Sequence, residues 1–235
     1  MKEIQVYLTG RLGNQLFQYA MAKSIQKKYG GQSICSICEL EHRSEKMKHI
    51  DKKFKYDMQN FLLNENVKLI DKKLPWYADL SNLFIKIIKK AIPKLYFRIM
   101  LNYGYLIWQR DEYIEIPELN TEKITIFGWW QDFRFFENVE VELQNEIVST
   151  IESKEENKSI YELAKDENTV CISIRGGNYL HPMVKKKLFV CDKTYFIDSI
   201  EEMNKILEKP KFVIFSDDLK WVKERFEIRR TISRK

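Results

Sequence analysis

Long apolar runs are missing from this chain. No stretch approaches the roughly 18 uninterrupted apolar residues of a membrane span. The N-terminal residues read as the start of a strand and not as a charged, apolar leader, so a cytoplasmic protein is expected. Cysteine is scarce, with four residues at positions 35, 38, 171 and 191, which fits reduced thiols and excludes a disulfide-stapled scaffold. Cys35 and Cys38 form a lone C-x-x-C with no second pair. Cys35 falls in an expected strand, and His42 and His49 lack zinc-finger spacing, so no metal site is expected. There is no clear D-x-D, no internal repeat and no low-complexity tract. Neither usual nucleotide fingerprint occurs, G-x-G-x-x-G or G-x-x-x-x-G-K-[ST]. The formal charge is +6, yet the aromatics lie in apolar runs and form no basic–aromatic face, so no nucleic-acid partner is expected.

What is present reads as an α/β protein. The apolar share, 44%, is ordinary for a globular chain, and 235 residues can bury a core as one large or two small domains. The patterning predicts a strand over 4–9, a helix over 14–29 and a strand over 32–38, then a lysine-rich irregular stretch through 60. Helical segments follow around 82–101, then a strand near 124–128 and a helix over about 137–151. A polar loop is expected at 153–158. Strand 169–174, helix 193–207 and strand 211–215 then alternate as βαβ, the pattern of a parallel sheet.

Three junctions carry chemistry. The first is Gly10-Arg11-Leu12-Gly13-Asn14-Gln15-Leu16-Phe17-Gln18, directly after the strand Ile4–Leu8. A strand, a glycine turn and a helix N-terminus together aim backbone N–H groups and a positive dipole end at an anion. Gly10 and Gly13 permit a tight turn and close approach. Arg11 is a forked cation suited to phosphate, and Asn14 can cap the helix or hold a substrate oxygen. The second junction, Val170–Tyr179, is a buried strand ending in Arg175, Gly176, Gly177 and Asn178. The third, Phe212–Phe226, runs from a buried strand into Ser216-Asp217-Asp218 and an amphipathic helix; those side chains serve as caps, as ligand contacts, or as both.

Two further segments stand out. Gly128-Trp129-Trp130-Gln131-Asp132-Phe133-Arg134-Phe135-Phe136 mixes aromatic and polar residues. Trp129, Phe133 and Phe136 are expected in the core, with Gln131 and Arg134 reaching into a cleft. Residues 83–100 interleave Lys86, Lys89, Lys90 and Lys94 with large apolar residues and contain no acid. Such a helix lies on a membrane surface, or packs on its own domain with its lysines in water.

The first junction resembles the N-terminal signature of the bacterial α-1,2-fucosyltransferases, glycosyltransferase family eleven, and its shorter form G-R-x-G-N-Q is similar to the start of protein O-fucosyltransferases. The second resembles the family's H-x-R-R-G-D-Y, with Ser173 for the histidine, Gly176 for the second arginine and Asn178 for the aspartate. The third resembles F-S-D-D-x-x-W-V-K-x-x-F, and the aromatic segment resembles G-Y-x-Q-S-x-x-Y-F. The resemblance implies a GT-B architecture, two Rossmann-like domains facing a cleft: an acceptor-side domain over 1–152 and a GDP-sugar-binding domain over 159–235. The family's later N-S-[ST]-F-S-W-W segment is not found, so the second domain is expected to be incomplete.

The activity implied is inverting transfer of L-fucose from GDP-fucose to a galactose-terminated, lipid-linked surface glycan on the inner membrane face. No metal or other cofactor is implied. Arg175 holds the diphosphate, assisted by Arg11 and the backbone of 10–14. Gly177, Asn178, Ser216, Asp217 and Asp218 complete the donor side, and Gln131 and Arg134 meet the acceptor. The missing C-terminal segment and the glycine at 176 leave an alternative: a truncated, inactive member that binds the nucleotide sugar weakly at most.

Overall fold

The structure, a computed structural model, describes residues 2–40, 54–79, 82–109, 112–152, 154–180, 182, 185 and 191–226. His42 and His49 lie outside the described residues. The chain divides into two compact units, Met1–Ile151 and Glu152–Lys235. Both are α/β with parallel strands.

In the first unit β1 (Glu3–Tyr7), β2 (Gln32–Ser36), β3 (Lys68–Ile70), β4 (Tyr105–Trp108) and β5 (Lys123–Gly128) form one sheet in the order β3-β2-β1-β5-β4. Every pair is parallel; Glu3 stands opposite Gln32 on one side and Lys123 on the other. A parallel strand covered on both faces needs apolar residues at successive positions. Ile4, Val6 and Leu8 turn toward α1 (Leu12–Tyr29) and share a core with its Tyr19, Ala20, Met21, Ala22 and Ile25. Tyr7, Ile107 and Phe127 belong to the other face, beneath α2 (Leu83–Ala91) and α3 (Pro93–Asn102), with Ile85, Tyr96 and Met100. Ile4, Val6, Leu8, Ile124 and Ile126 are all fully buried, each contributing roughly 1.5–3 kcal/mol.

Several boundaries differ from the sequence expectation. The segment around 82–101 is two helices, because Pro93 has no N–H and takes the first position of α3. The helix expected over 137–151 is a 3-10 turn, Glu137–Val139, followed by the short α4 (Glu140–Glu146). That helix is tied back to α1: the Tyr19 hydroxyl donates to Glu146 Oε2 at 2.6 Å, and Lys23 Nζ donates to Oε1 at 2.5 Å. Phe133 is 66% exposed, not in the core, and Trp130 and Phe135 take the buried places. The reason is local. Trp130 has a left-handed φ of 56°, which turns the chain after β5 and shifts which ring faces inward.

The second unit contains α5 (Lys158–Ala164), β6 (Thr169–Ile174), α6 (Lys193–Ile206), β7 (Lys211–Ser216) and α7 (Leu219–Phe226). β6 and β7 pair in parallel from Thr169–Lys211 to Ile174–Ser216. Asp192 caps α6 by accepting the Tyr195 N–H at 3.0 Å. The core is small: Ile174, Ile214 and Val222, with Ile172, Phe196, Trp221 and Phe226 packed against it.

Candidate functional site

The Gly10 turn leaves the C-terminal end of β1, where the sheet order reverses between β2 and β5. Open parallel sheets offer ligands such a crevice. Two buried glutamines of α1 build the turn. Gln18 accepts the Thr9 N–H through Oε1 at 2.8 Å, and its Nε2 donates to Thr9 Oγ1 at 2.8 Å and to the Gly128 carbonyl at 3.1 Å. Gln15 Nε2 donates to the carbonyls of Gly10 and Lys55 at 3.0 and 2.8 Å, and its Oε1 accepts the Asp57 N–H at 2.9 Å. Both side chains are fully buried. Buried amides with this many partners fix the backbone around them.

The turn also needs its glycine. Gly10 has φ 75°, and a Cβ there would stand 2.2 Å from Asn14 Nδ2. Arg11 is the N-cap residue and supplies no side-chain cap, and the first turn of α1 carries no acid. Among the described residues, then, neither a cap side chain nor a first-turn carboxylate offsets the positive dipole end at the first amides. Among the described residues nothing lies within 4 Å of a Cβ placed on Gly13. Asn14 does not cap the helix; its Oδ1 accepts from Gln131 Nε2 at 2.8 Å, joining the first junction to the aromatic segment. The Arg11 guanidinium lies 5.2 Å from the Phe54 ring. Arg134 holds Asp132 with two hydrogen bonds, 2.9 Å from Nε and 2.6 Å from Nη2, and stacks 4.3 Å from the Tyr113 ring. These bonds hold the Asp132 carboxyl below its usual range.

In the second unit the ends of β6 and β7 meet. Asp217 Oδ1 accepts the Gly176 N–H at 2.8 Å, and its Oδ2 lies 3.5 Å from Arg175 Nε. The Arg175 guanidinium is also 5.0 Å from the Tyr179 ring, with its side chain half exposed. Gly177 has φ 33°, and a Cβ there would come within 2.6 Å of Asp217 Oδ2. Ser216 Oγ accepts the Asp218 N–H at 3.0 Å, and Asp218 Oδ1 accepts the Trp221 N–H at 3.0 Å. Asp218 is thus the cap of α7, and Asp217 organises the glycine loop. The Asn178 side chain lies outside the described residues.

Beside this loop an open cavity of about 240 Å³ is lined by Lys185, Lys193 and Arg225, with Asp192, Trp221 and Phe226 among its other walls. Among the described residues of the lining, three cations stand against one carboxylate, a balance that suits an anion. Sequence reasoning missed Lys193, Arg225 and the two glutamines. The glutamines left one legible signal, their three-residue spacing on an otherwise apolar helix face. Among the described residues no group of three or more His, Cys, Asp or Glu is placed to hold a metal. Burial pushes the Cys35 thiol up to about 12.

Comparison with known proteins agrees with the sequence motifs. An alpha-1,2-colitosyltransferase from Escherichia coli is 27% identical over 228 residues, covering 95% of this chain and 72% of that protein. The crystal structure of fucosyltransferase NodZ from Bradyrhizobium is 13% identical, covers 99% of this chain and 78% of that one, and superposes with a TM-score of 0.46. The family model described as glycosyl transferase family 11 matches residues 3–234. The chain belongs to glycosyl transferase family 11.

Proposed function

We propose that this chain transfers L-fucose from GDP-fucose to a galactose 2-hydroxyl of a lipid-linked surface glycan, in the cytoplasm, with inversion and without a metal or other cofactor. The observation that carries this reading is Arg175, held at the end of β6 by Asp217 and backed by a cavity with three further cations. In such a transfer the sugar becomes oxocarbenium-like while negative charge builds on the departing diphosphate. A guanidinium fixed before the reaction neutralises that charge without reorganisation. A forked cation also takes over the part a divalent ion would otherwise play at a diphosphate.

The remaining residues take supporting roles. Gly177 and Asn178 bring the loop backbone close to the diphosphate, and Ser216, Asp217 and Asp218 stand at the strand end that faces the nucleoside. In the first unit, Arg11 and the amides of Gly13 and Asn14 are assigned to substrate oxygens. Gln131 and Arg134 are assigned to the acceptor, the arginine acting as a pair with Asp132.

The donor sugar has one competitor, because the Escherichia coli relative is named for colitose. Colitose differs from L-fucose in lacking the 3-hydroxyl. A site that hydrogen-bonds that hydroxyl rejects the deoxy sugar by about 10⁴-fold or more, whereas an apolar site tolerates both within about 10²-fold. Calorimetric titration of the whole chain with GDP, GDP-fucose and GDP-colitose, alongside Arg175→Ala, tests the reading. Binding of GDP-fucose that is lost in the variant supports it. Binding of GDP-colitose alone reassigns the donor, and failure of a folded chain to bind any of the three overturns it.

A binding-only role is favoured by one observation. Gly176 stands where the motif that this segment resembles has a second arginine, and Asp218 and Trp221 already close the space around its Cα. Binding of GDP-fucose with no release of GDP in the presence of galactosides would select that role.

A further inference from the structure

We infer that the outer face of α2 and α3 is a docking surface for an anionic lipid bilayer. These helices turn one set of residues inward: Ile85, Tyr96 and Met100 are 3%, 7% and 4% exposed within the core that covers the sheet. A second apolar set points away from it. Leu83, Phe84 and Ile87 on α2, and Leu95 and Ile99 on α3, are all exposed, Leu83 to 73%. An amphipathic helix of a globular protein has one apolar stripe. Here the stripe facing the core and the stripe facing outward are different residues, so the core does not account for the second.

Charge selects the occupant. Lys86, Lys90, Lys94 and Arg98 are exposed along the same helices, and 83–102 contain no acid. The basic residues run beside the apolar ones: Lys86 and Lys90 flank Leu83 and Ile87 by helical position, and Lys94 and Arg98 flank Leu95 and Ile99. A second copy of this face would bring like charges together. Apolar residues bordered by cations, over a face with no acid, match lipid headgroups of negative charge above an acyl boundary. Two exposed aromatics lie next to these helices. Trp76 is 64% exposed, its ring 5.8 Å from that of Tyr77, and the Tyr77 carbonyl accepts the Tyr96 hydroxyl of α3 at 3.2 Å. Exposed tryptophan and tyrosine suit the headgroup level of a bilayer. Among the described residues no helix is long and apolar enough to cross a membrane, so the contact is peripheral. The inference does not depend on which sugar the protein transfers.

Co-sedimentation of the whole chain with phosphatidylcholine vesicles, with and without phosphatidylglycerol, tests it. Pelleting is expected only with the anionic vesicles. Each lysine near such a surface is worth about fivefold in partitioning, so Lys86→Glu, Lys90→Glu and Lys94→Glu combined lower it by at least about tenfold. The same charge change on the second unit, with Lys205→Glu, Lys209→Glu and Lys220→Glu, leaves it within about threefold. Leu83→Ser, Phe84→Ser and Ile87→Ser combined abolish the part of the binding that survives high salt. Circular dichroism melting curves matching the parent show that the variants fold. Equal losses in the two lysine triples overturn the inference, as does absence of pelleting by the parent chain. A dimer in sedimentation velocity that the serine triple dissolves overturns it in favour of self-association.

Discussion

The Asp217 carboxylate accepts the Gly176 amide at 2.8 Å, so the end of β7 holds the loop that ends β6. That bond also aims the carboxylate at Arg175. Asp217→Asn keeps an acceptor for the amide and removes the charge beside the guanidinium, whereas Asp217→Ala removes both. The alanine variant is expected to lose at least about tenfold in GDP affinity, the loss of one charge-assisted hydrogen bond. The asparagine variant is expected to fall between it and the parent. Calorimetry on the three proteins ranks them, and an alanine variant that binds like the parent breaks the argument.

Arg175→Ala is expected to cost about 3 kcal/mol or more of transition-state stabilisation, the order seen when a charge-stabilising donor is removed. The readout is kcat/KM for the donor, and a variant with full turnover refutes the role.

Placing an arginine at Gly176, as in the motif that this segment resembles, is expected to harm the fold more than it helps binding. A Cβ on Gly176 would meet Asp218 Cβ at 3.2 Å and Trp221 Cε3 at 3.3 Å. Gly176→Arg must therefore displace the indole that closes this part of the second unit, at about 1–3 kcal/mol. Urea denaturation of the variant gives the number, and an unchanged midpoint shows that Trp221 yields freely.

Gln18→Leu leaves the Thr9 N–H and the Gly128 carbonyl without their partner inside the first unit. Each orphaned buried group costs about 1–3 kcal/mol, so the variant is expected to lose about 2–6 kcal/mol. Equilibrium unfolding in urea measures it; a loss under about 1 kcal/mol means the turn is held by other contacts.

Alkaline stability follows from tyrosines. Burial raises the hydroxyl pKa of Tyr7 to about 12, and raises those of Tyr19 and Tyr56 further, with Glu146 adding to the effect at Tyr19. The folded chain then holds protons that the unfolded chain releases near pH 10. This stability is fully present below about pH 10 and falls as pH rises from there toward the folded values. Urea midpoints across a pH series, with tyrosinate absorbance as a second probe, check the sign. A midpoint that stays level through the alkaline range contradicts it.

The fold's main strands and the glycine turn were legible because strong local signals mark them: β1, β5, β6 and β7 are apolar runs ending in glycine or polar turns. The strands β3 and β4 were not, being three and four residues long and too short to show a period. The Arg175 loop could be placed at a strand end, but its tie to Asp217 spans 41 residues of sequence, and the Gln18 bond to Gly128 spans 110. Local periodicity contains nothing about such pairs. The misplacement of Phe133 has a related cause, since a left-handed residue, Trp130, turns the chain three residues before it.

Four of the five tryptophans, at 76, 108, 129 and 130, belong to the first unit, and Trp221 belongs to the second. Trp221 packs against Gly176 and lines the cationic cavity. The molecule thus carries a native optical probe beside the loop assigned to the donor. With the other four indoles changed to phenylalanine, quenching by added nucleotide would report occupancy of that loop alone, in real time and without a label.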